Sequence, residues 1–291
     1  MSCFTEEANK YLSNYIQHVR KDVWEAVQNG KIDEPSLNMF LSELEQDIRL
    51  ISIKLTKGRG EGLVAEQDVS KVLRNYWVAV FWRKRSLHLD NMIILEDSKK
   101  LGEMLDFVER PLVLDVGCGW GKASLRVNNY LGGKAFLVGI DLDGVSLEYG
   151  KSLNHDICFL KAHMTYLPFR ENMFDLVVVG RALHEVGSSD KQDETLVGFT
   201  RVLKYRSPIY IWDQFAKSHM RKFIRSLIHK LFKKTEVYSF AEEFEGNLKR
   251  RNFRIIKKNS IDWFILSLNT FCYYIAENTS DCSMNTTHIK E

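Results

Sequence analysis

A glycine-rich turn near the middle of the chain limits its possible folds more than any other feature. The run Leu112–Lys122 reads Leu-Val-Leu-Asp-Val-Gly-Cys-Gly-Trp-Gly-Lys, so a short apolar segment leads into three alternating glycines. The apolar part is typical of a buried β-strand, and residues without a Cβ let a ligand lie directly against the backbone. A helix beginning near Lys122 would offer its unpaired N–H groups to that ligand. The run therefore predicts a strand–turn–helix that holds a cofactor.

The spacing of Gly117, Gly119 and Gly121 indicates which class of cofactor the turn could bind. The dinucleotide fingerprint requires Gly-x-Gly-x-x-Gly, whereas this chain has Gly-x-Gly-x-Gly, with Asp115 two residues before the first glycine. A phosphate-binding loop of the Gly-x-x-x-x-Gly-Lys-Ser/Thr kind is also excluded, because a valine stands at its first glycine position and an alanine follows the lysine. The glycine turn therefore matches neither the dinucleotide-binding fingerprint nor the phosphate-binding loop.

The composition is that of a globular protein and indicates no special partner. Of the 291 residues, 45% are hydrophobic and 27% charged, and the net charge of +3 is too small to indicate nucleic acid or a membrane surface. The 5 cysteines form no Cys-x-x-Cys pair, which favours reduced thiols. No signal peptide or membrane-length apolar run is evident. We therefore expect a cytoplasmic protein without an integral membrane segment.

The patterning divides the chain into three regions. Residues 1–110 have apolar residues at helical spacing and are predicted to form an N-terminal helical region, which serves as a lid or as a docking module. Within it, the aromatic run 76–82 fits either a buried helix or the lining of an acceptor pocket. Strands and helices alternate over 111–277, which predicts an α/β domain with a doubly wound, mostly parallel seven-stranded sheet. Residues 278–291 form a polar tail that we expect to be disordered.

Polar residues follow several of the predicted strands, where ligands of such sheets bind. Asp141 ends the second strand, about 20 residues after the glycines, where a carboxylate can accept hydrogen bonds from both ribose hydroxyls. His163 and Met164 follow the third strand, and Gly180, Arg181, His184 and Glu185 follow the fourth. Asp213 ends the predicted fifth strand and is a weaker candidate for catalysis.

Four segments in order resemble the successive motifs of class I S-adenosylmethionine-dependent methyltransferases, and most of all the branch with quinone- and sterol-modifying enzymes. The resemblance implies a Rossmann-like fold. It covers about residues 101–213 and does not extend to the N-terminal helices. Two departures are His163, where the family usually has an acidic residue, and Tyr205-Arg206-Ser207, where it has Pro-Gly-Gly. The segments are Asp115–Gly121, Gly139–Asp141, Leu167–Phe169 with Phe174–Asp175, and Phe199–Lys204.

The resemblance implies roles for individual residues. The glycine loop would hold the methionine part of S-adenosylmethionine, Asp141 its ribose, and Leu142 would pack on the adenine. A neutral His163 can still accept a hydrogen bond with one ring nitrogen, and Met164 would add a backbone N–H and an apolar contact. The implied cofactor-binding set is Asp115, Gly117, Cys118, Gly119, Gly121, Asp141, Leu142, His163, Met164 and Gly180.

The expected function is methyl transfer to a small organic acceptor, on oxygen, nitrogen or carbon. His184 and Glu185 are the candidates for a general base, although His184 could instead only pack or contact the cofactor. Two alternatives stay open, namely a methyltransferase acting on protein, peptide or RNA, and a catalytically silent donor-binding subunit. The basic amphipathic segment 217–234 fits a solvated helix, a lid, or a surface facing an anionic, membrane-held or RNA substrate.

Overall fold

A computed structural model describes residues 3–29, 34–73, 96–216, 239–261 and 269–280. The aromatic run 76–82, the basic segment 217–234 and residues 281–291 lie outside the described residues. The chain forms two compact units, Met1–Met92 and Ile93–Glu291. Among the described helices, none combines the length and the hydropathy that crossing a membrane requires.

The first unit is helical, as the apolar spacing predicts. Its two long helices are Glu6–Gln28 and Glu34–Gly58, and residues 66–73 are also helical. Apolar residues three or four positions apart, such as Leu41, Leu44 and Ile48, are buried. They form the apolar stripe that lets an amphipathic helix pack against its neighbours.

The second unit is built on a seven-stranded sheet with the strand order β3-β2-β1-β4-β5-β7-β6. Neighbours from β3 to β5 pair in parallel, and β7 is antiparallel to both β5 and β6. The predicted doubly wound, mostly parallel α/β fold is therefore confirmed. The strands are β1 (Leu112–Val116), β2 (Phe136–Asp141), β3 (Ile157–Lys161), β4 (Leu176–Gly180), β5 (Pro208–Ala216), β6 (Phe253–Ile261) and β7 (Asn269–Asn278).

Two hydrophobic cores cover the two faces of this sheet. Val177 belongs to one core and its neighbour Val178 to the other, because successive side chains of a strand point to opposite faces. Parallel strands buried on both faces are apolar throughout, and the residues from Leu176 to Val179 are fully buried. The helices of this unit with described bounds are Lys122–Tyr130, Gly144–Leu153, Ser189–Val202 and Ala241–Arg250.

The structure places residues 96–110 in the second unit, although the sequence groups them with the N-terminal helices. Residues 96–105 are helical, and Leu101 and Leu105 are buried in the same core as Val113 and Val178. This helix therefore packs on the sheet that it precedes.

The start of the predicted tail requires a correction. Asn278 is the last residue of β7 and is completely buried, so it is not part of a disordered tail. Its side-chain amide donates hydrogen bonds to the carbonyls of Thr200, Leu203 and Lys204, at 3.1, 3.0 and 3.3 Å. These carbonyls lie at the C-terminal end of a helix, where they lack partners within the helix. The polar side chain of Asn278 suggested the start of a tail, but its amide caps the end of a helix.

Candidate functional site

The three glycines after β1 differ in what surrounds them. All have positive φ, at 71° for Gly117, 55° for Gly119 and 93° for Gly121. A Cβ on Gly117 would lie 2.3 Å from the Cβ of Ala182, so close packing requires this glycine. A Cβ on Gly119 would have no heavy atom of the described residues within 4 Å. Gly119 therefore borders open space, where a ligand can approach the backbone.

Asp141 lies beside this open position. One carboxylate oxygen accepts the backbone N–H of Gly119 at 2.8 Å, and the other accepts the N–H of Asp143 at 2.9 Å. Each oxygen has a further lone pair that can accept a hydroxyl proton. The next residue, Leu142, leaves 54% of its surface exposed. A carboxylate and an exposed apolar side chain thus flank the open glycine.

The loops after β1, β3 and β4 meet at Gly117. The methyl carbon of Met164 lies 3.8 Å from the position of a Cβ on Gly117, and Ala182 contacts the same position. His163, before Met164, is half-buried. The structure thus brings the loops that carry the selected residues to one place, because the carboxyl ends of parallel strands share one edge.

Cys118 and the position of Gly180 lie against other residues of the protein interior. The Cys118 thiol is buried, and its Sγ would lie 2.8 Å from a Cβ on Gly139. Burial raises the pKa of this thiol far above its ordinary value, which excludes it as a nucleophile. A Cβ on Gly180 would lie 2.4 Å from the Trp212 ring, so this glycine makes room for an indole. Contacts of Cys118 and Gly180 with a cofactor stay a prediction.

A histidine–carboxylate pair lies just beyond β4. His184 belongs to the short 3₁₀ turn Leu183–Glu185, and its Nδ1 is 2.6 Å from Oδ1 of Asp213 on β5. The other oxygen of Asp213 accepts the backbone N–H of His184 at 3.1 Å. The exposed fractions are 8% for His184 and 1% for Asp213. Because the carboxylate accepts, Nδ1 carries the proton, and the lone pair of the neutral ring is on Nε2.

Glu185 is placed differently from its neighbour. Its carboxylate is mostly exposed, and Oε1 lies 4.0 Å from Nε2 of His184. At this distance the carboxylate can stabilise a protonated imidazole but does not fix its orientation. Of the two predicted base candidates, the structure therefore orients His184 and leaves Glu185 at the surface.

Two buried side chains hold the turn that carries His184, and the sequence did not indicate either. The side-chain amide of Gln192 donates to the carbonyl of Leu183 at 3.0 Å, and the hydroxyl of Ser239 donates to the Gln192 amide oxygen at 2.7 Å. Both residues are buried. Gln192 and Ser239 are ordinary surface residue types, so no pattern could have distinguished them.

Asp115 is buried beneath the glycine turn. One of its oxygens accepts the N–H and the hydroxyl of Ser124, at 2.9 and 2.6 Å. Its other oxygen, Oδ1, is buried without a hydrogen-bond partner within the described part of the chain. Burial raises the pKa of Asp115 to about 6, and the bonds from Ser124 oppose this shift only in part.

This raised pKa predicts a pH dependence of stability. Between the ordinary pKa of 3.8 and about 6, the folded protein keeps a proton on Asp115 that the unfolded chain has lost. Stability therefore falls as pH rises through this window. We expect wild type to lose about 2 kcal/mol of unfolding free energy, relative to Asp115→Asn, between about pH 4.5 and about pH 7.5. Urea unfolding of both proteins measures this difference, and parallel pH profiles would contradict it.

The motif residues near the end of the helix Ser189–Val202 are structural. The Arg201 guanidinium donates to the carbonyls of Leu167 and Phe169, at 2.8 and 2.6 Å. Lys204 contacts Asp175 at 2.7 Å, and Asp175 accepts the N–H of Leu112 at the start of β1. These contacts fix the loop after β3 and the entry into β1.

The edge of the sheet fits an adenosyl group joined to an amino acid. It offers open space at Gly119, a carboxylate at Asp141, an exposed apolar surface at Leu142, and an unsatisfied buried oxygen on Asp115. Nucleosides need hydroxyl acceptors and an apolar surface for the base, and a methionine ammonium is a donor of the kind that a carboxylate accepts. Within the described ranges, no cluster of three or more His, Cys, Asp or Glu forms a metal site.

Comparisons with known proteins identify similar methyltransferases. The family model described as "Methyltransferase domain" matches residues 113–206. Ubiquinone/menaquinone biosynthesis C-methyltransferase UbiE from Shewanella sp. (strain W3-18-1) is 23% identical over 179 residues, covering 58% of this chain and 63% of that enzyme. The O-methyltransferase rstn1 from Aspergillus nomiae is 25% identical over 171 residues, covering 56% of this chain and 73% of that enzyme.

A solved structure shares the fold. A SAM-dependent methyltransferase from Methanosarcina mazei superimposes with a TM-score of 0.50 at 18% identity, covering 60% of this chain and 94% of that protein. The chain spans less than two thirds of the Shewanella relative, at 63%. The predicted resemblance is confirmed, since residues 113–206 match the methyltransferase-domain model and the similar proteins include a quinone-modifying methyltransferase.

Proposed function

We propose that a chain with this domain transfers a methyl group from S-adenosylmethionine to a small organic acceptor, and that His184 removes a proton from that acceptor. The observation that carries the proposal is the buried pair of His184 and Asp213, with 2.6 Å between Nδ1 and Oδ1 at the edge that also holds the glycine turn. A buried carboxylate behind an imidazole is the arrangement of a general base.

The residues around the glycine turn would hold the methyl donor. Asp141 binds the ribose hydroxyls, Gly119 lets the ligand approach the backbone, and Leu142 packs against the base. Asp115 accepts from the methionine ammonium through its unsatisfied oxygen. Met164 adds an apolar contact near Gly117. The bound donor supplies an activated methyl group, so the protein chiefly has to orient the acceptor and exclude water.

The chemistry of the acceptor follows from the base. A hydroxyl group or an acidic carbon must lose a proton to become a nucleophile, and Nε2 of His184 is the atom to which that proton moves. Asp213 accepts from Nδ1, keeps the lone pair on Nε2 and stabilises the imidazolium that forms. The names of the two relatives, one a C-methyltransferase and one an O-methyltransferase, describe these two kinds of acceptor atom.

Two binding and labelling experiments test this proposal. Calorimetry of the full chain with S-adenosylmethionine measures donor binding. Incubation with methyl-labelled donor and a cell extract, followed by mass spectrometry, finds the labelled product. Binding together with a labelled small molecule is the expected result, whereas absent binding would contradict the whole proposal.

The other outcomes separate the alternatives. Label in protein or RNA would replace the small acceptor by a macromolecule, and binding without any product would favour a silent donor-binding subunit. The role of the N-terminal helices as a lid or docking module and the cytoplasmic location stay predictions.

A further inference from the structure

The peptide group between Leu183 and His184 is held on both of its sides by buried side chains. Its N–H donates to Oδ2 of Asp213 at 3.1 Å, and its carbonyl accepts the side-chain amide of Gln192 at 3.0 Å. The backbone N–H of Val186 reaches the same carbonyl at 3.3 Å. Because a peptide group is planar, these bonds to its two polar atoms fix its orientation and help to fix the position of the His184 Cα.

The side-chain amide of Gln192 can lie in only one orientation. A backbone carbonyl only accepts, so Nε2 of Gln192 must face Leu183, and Oε1 must face the hydroxyl of Ser239 at 2.7 Å. The side chains of Gln192 and Ser239 are both buried. Loss of either one therefore leaves a buried polar group of the other without this hydrogen bond.

Ser239 connects these hydrogen bonds to β5. Its backbone carbonyl accepts the N–H of Ala216, the last residue of β5, at 3.0 Å. Asp213 lies earlier on the same strand and holds the imidazole of His184. The turn is therefore joined to β5 by two routes, directly through Asp213 and indirectly through Gln192 and Ser239. The two routes form a closed network of hydrogen bonds, so a change in the indirect route can alter the geometry of the direct one.

We propose that Gln192 is a positioning residue for methyl transfer, which keeps the imidazole of His184 in contact with Asp213. This role rests on the proposed function, because Gln192 acts only through the proposed base. A general base must lie within hydrogen-bond reach of the proton that it removes, and a misplacement of about 1 Å can lower a rate about hundredfold. Ser239 supports the same role, because its hydroxyl holds the Gln192 amide.

Solvent exchange of the Nδ1 proton of His184 tests the positioning without an acceptor. In full-length protein labelled with ¹⁵N-histidine, this proton should exchange at least about tenfold faster in Gln192→Met than in wild type. Methionine fills the space of glutamine but cannot donate to the Leu183 carbonyl. Ser239→Ala removes the hydroxyl that holds the amide and should speed the exchange at least about threefold. It decides the question if Gln192→Met does not fold.

Thr195→Val is the matched control for both variants. Thr195 is buried on the same helix as Gln192, and its hydroxyl donates to the carbonyl of Lys191 at 2.7 Å. The substitution removes a hydrogen bond that is not part of the closed network. We expect the exchange of the Nδ1 proton to stay within about twofold of wild type.

Turnover tests whether this positioning matters for catalysis. With the acceptor that methyl labelling identifies, Gln192→Met should lower kcat about thirtyfold and leave the affinity for S-adenosylhomocysteine within about threefold of wild type. When His184→Asn is already present, the same substitution should lower the remaining kcat less than about twofold, because the imidazole through which it acts is gone.

An equal loss of kcat with and without His184 would mean a general structural effect and would overturn the proposal. Unchanged exchange of the Nδ1 proton in Gln192→Met, or in Ser239→Ala if the first variant does not fold, would overturn it as well. Absence of methyl transfer by wild type would instead contradict the proposed function and remove the catalytic role with it. The exchange measurement would still decide whether Gln192 holds the imidazole in place.

Discussion

Replacing His184 with asparagine is expected to lower kcat about thousandfold, within the range of general-base contributions. Asparagine keeps an N–H that can donate to Asp213, so the turn should remain in place, but it has no basic nitrogen at the position of Nε2. The affinity for S-adenosylhomocysteine should stay within about threefold of wild type, because the proposed role of His184 is to act on the acceptor. Formation of S-adenosylhomocysteine with the identified acceptor measures kcat, and calorimetry measures the affinity.

A matched variant separates catalysis from a general effect of losing a histidine. His155 is exposed and follows the helix Gly144–Leu153, so His155→Asn should leave both quantities unchanged. Asp213→Asn should lower kcat about hundredfold or more, because an amide no longer holds the proton on Nδ1 of His184. Unchanged turnover in His184→Asn would remove this residue from the mechanism.

Replacing Gly119 with alanine is expected to lower the affinity for S-adenosylhomocysteine at least hundredfold, about 2.7 kcal/mol. No atom of the described residues lies within 4 Å of a Cβ at this position, so the folded chain can accommodate the methyl group. That methyl group would occupy the space where the ligand approaches the backbone. Calorimetric titration measures the loss of affinity, and thermal unfolding measures the stability.

Gly132→Ala is the matched control for this variant. Gly132 also has a positive φ, at 74°, and a Cβ there would also meet nothing of the described chain within 4 Å. Both variants should lose about 1–2 kcal/mol of stability from the left-handed backbone, but only Gly119→Ala should lose affinity. Equal affinities in the two variants would mean that the space beside Gly119 is not the binding site.

The geometry around the glycine turn could be predicted from the sequence because its residues are local and obey spacing rules. The glycines follow one strand directly, and Asp141 ends the next strand. Parallel strands bring such positions to one edge, whatever the details of packing. The spacing could not show that Gly117 is required by Ala182 whereas Gly119 borders open space, since this depends on the conformation of the loop after β4.

The geometry of the proposed general base could be predicted only in part. His184 and Asp213 were selected separately, but their contact joins residues 29 apart in the chain. It depends on the register of β4 and β5, in which Gly180 pairs with Trp212. Strand ends are hard to locate from composition, and β5 continues to Ala216, beyond its predicted end at Asp213.

The central claim is that the ribose of an adenosyl ligand is held by Asp141, and a thermodynamic cycle tests it most directly. Calorimetry would compare S-adenosylhomocysteine with its 2′-deoxy analogue on wild type and on Asp141→Ala. Hydrogen bonds to a charged group contribute about 1.5–3 kcal/mol, so wild type should bind the deoxy analogue at least tenfold more weakly. Asp141→Ala should bind both ligands equally within about twofold. An equal loss of affinity for the deoxy analogue in both proteins would contradict the claim.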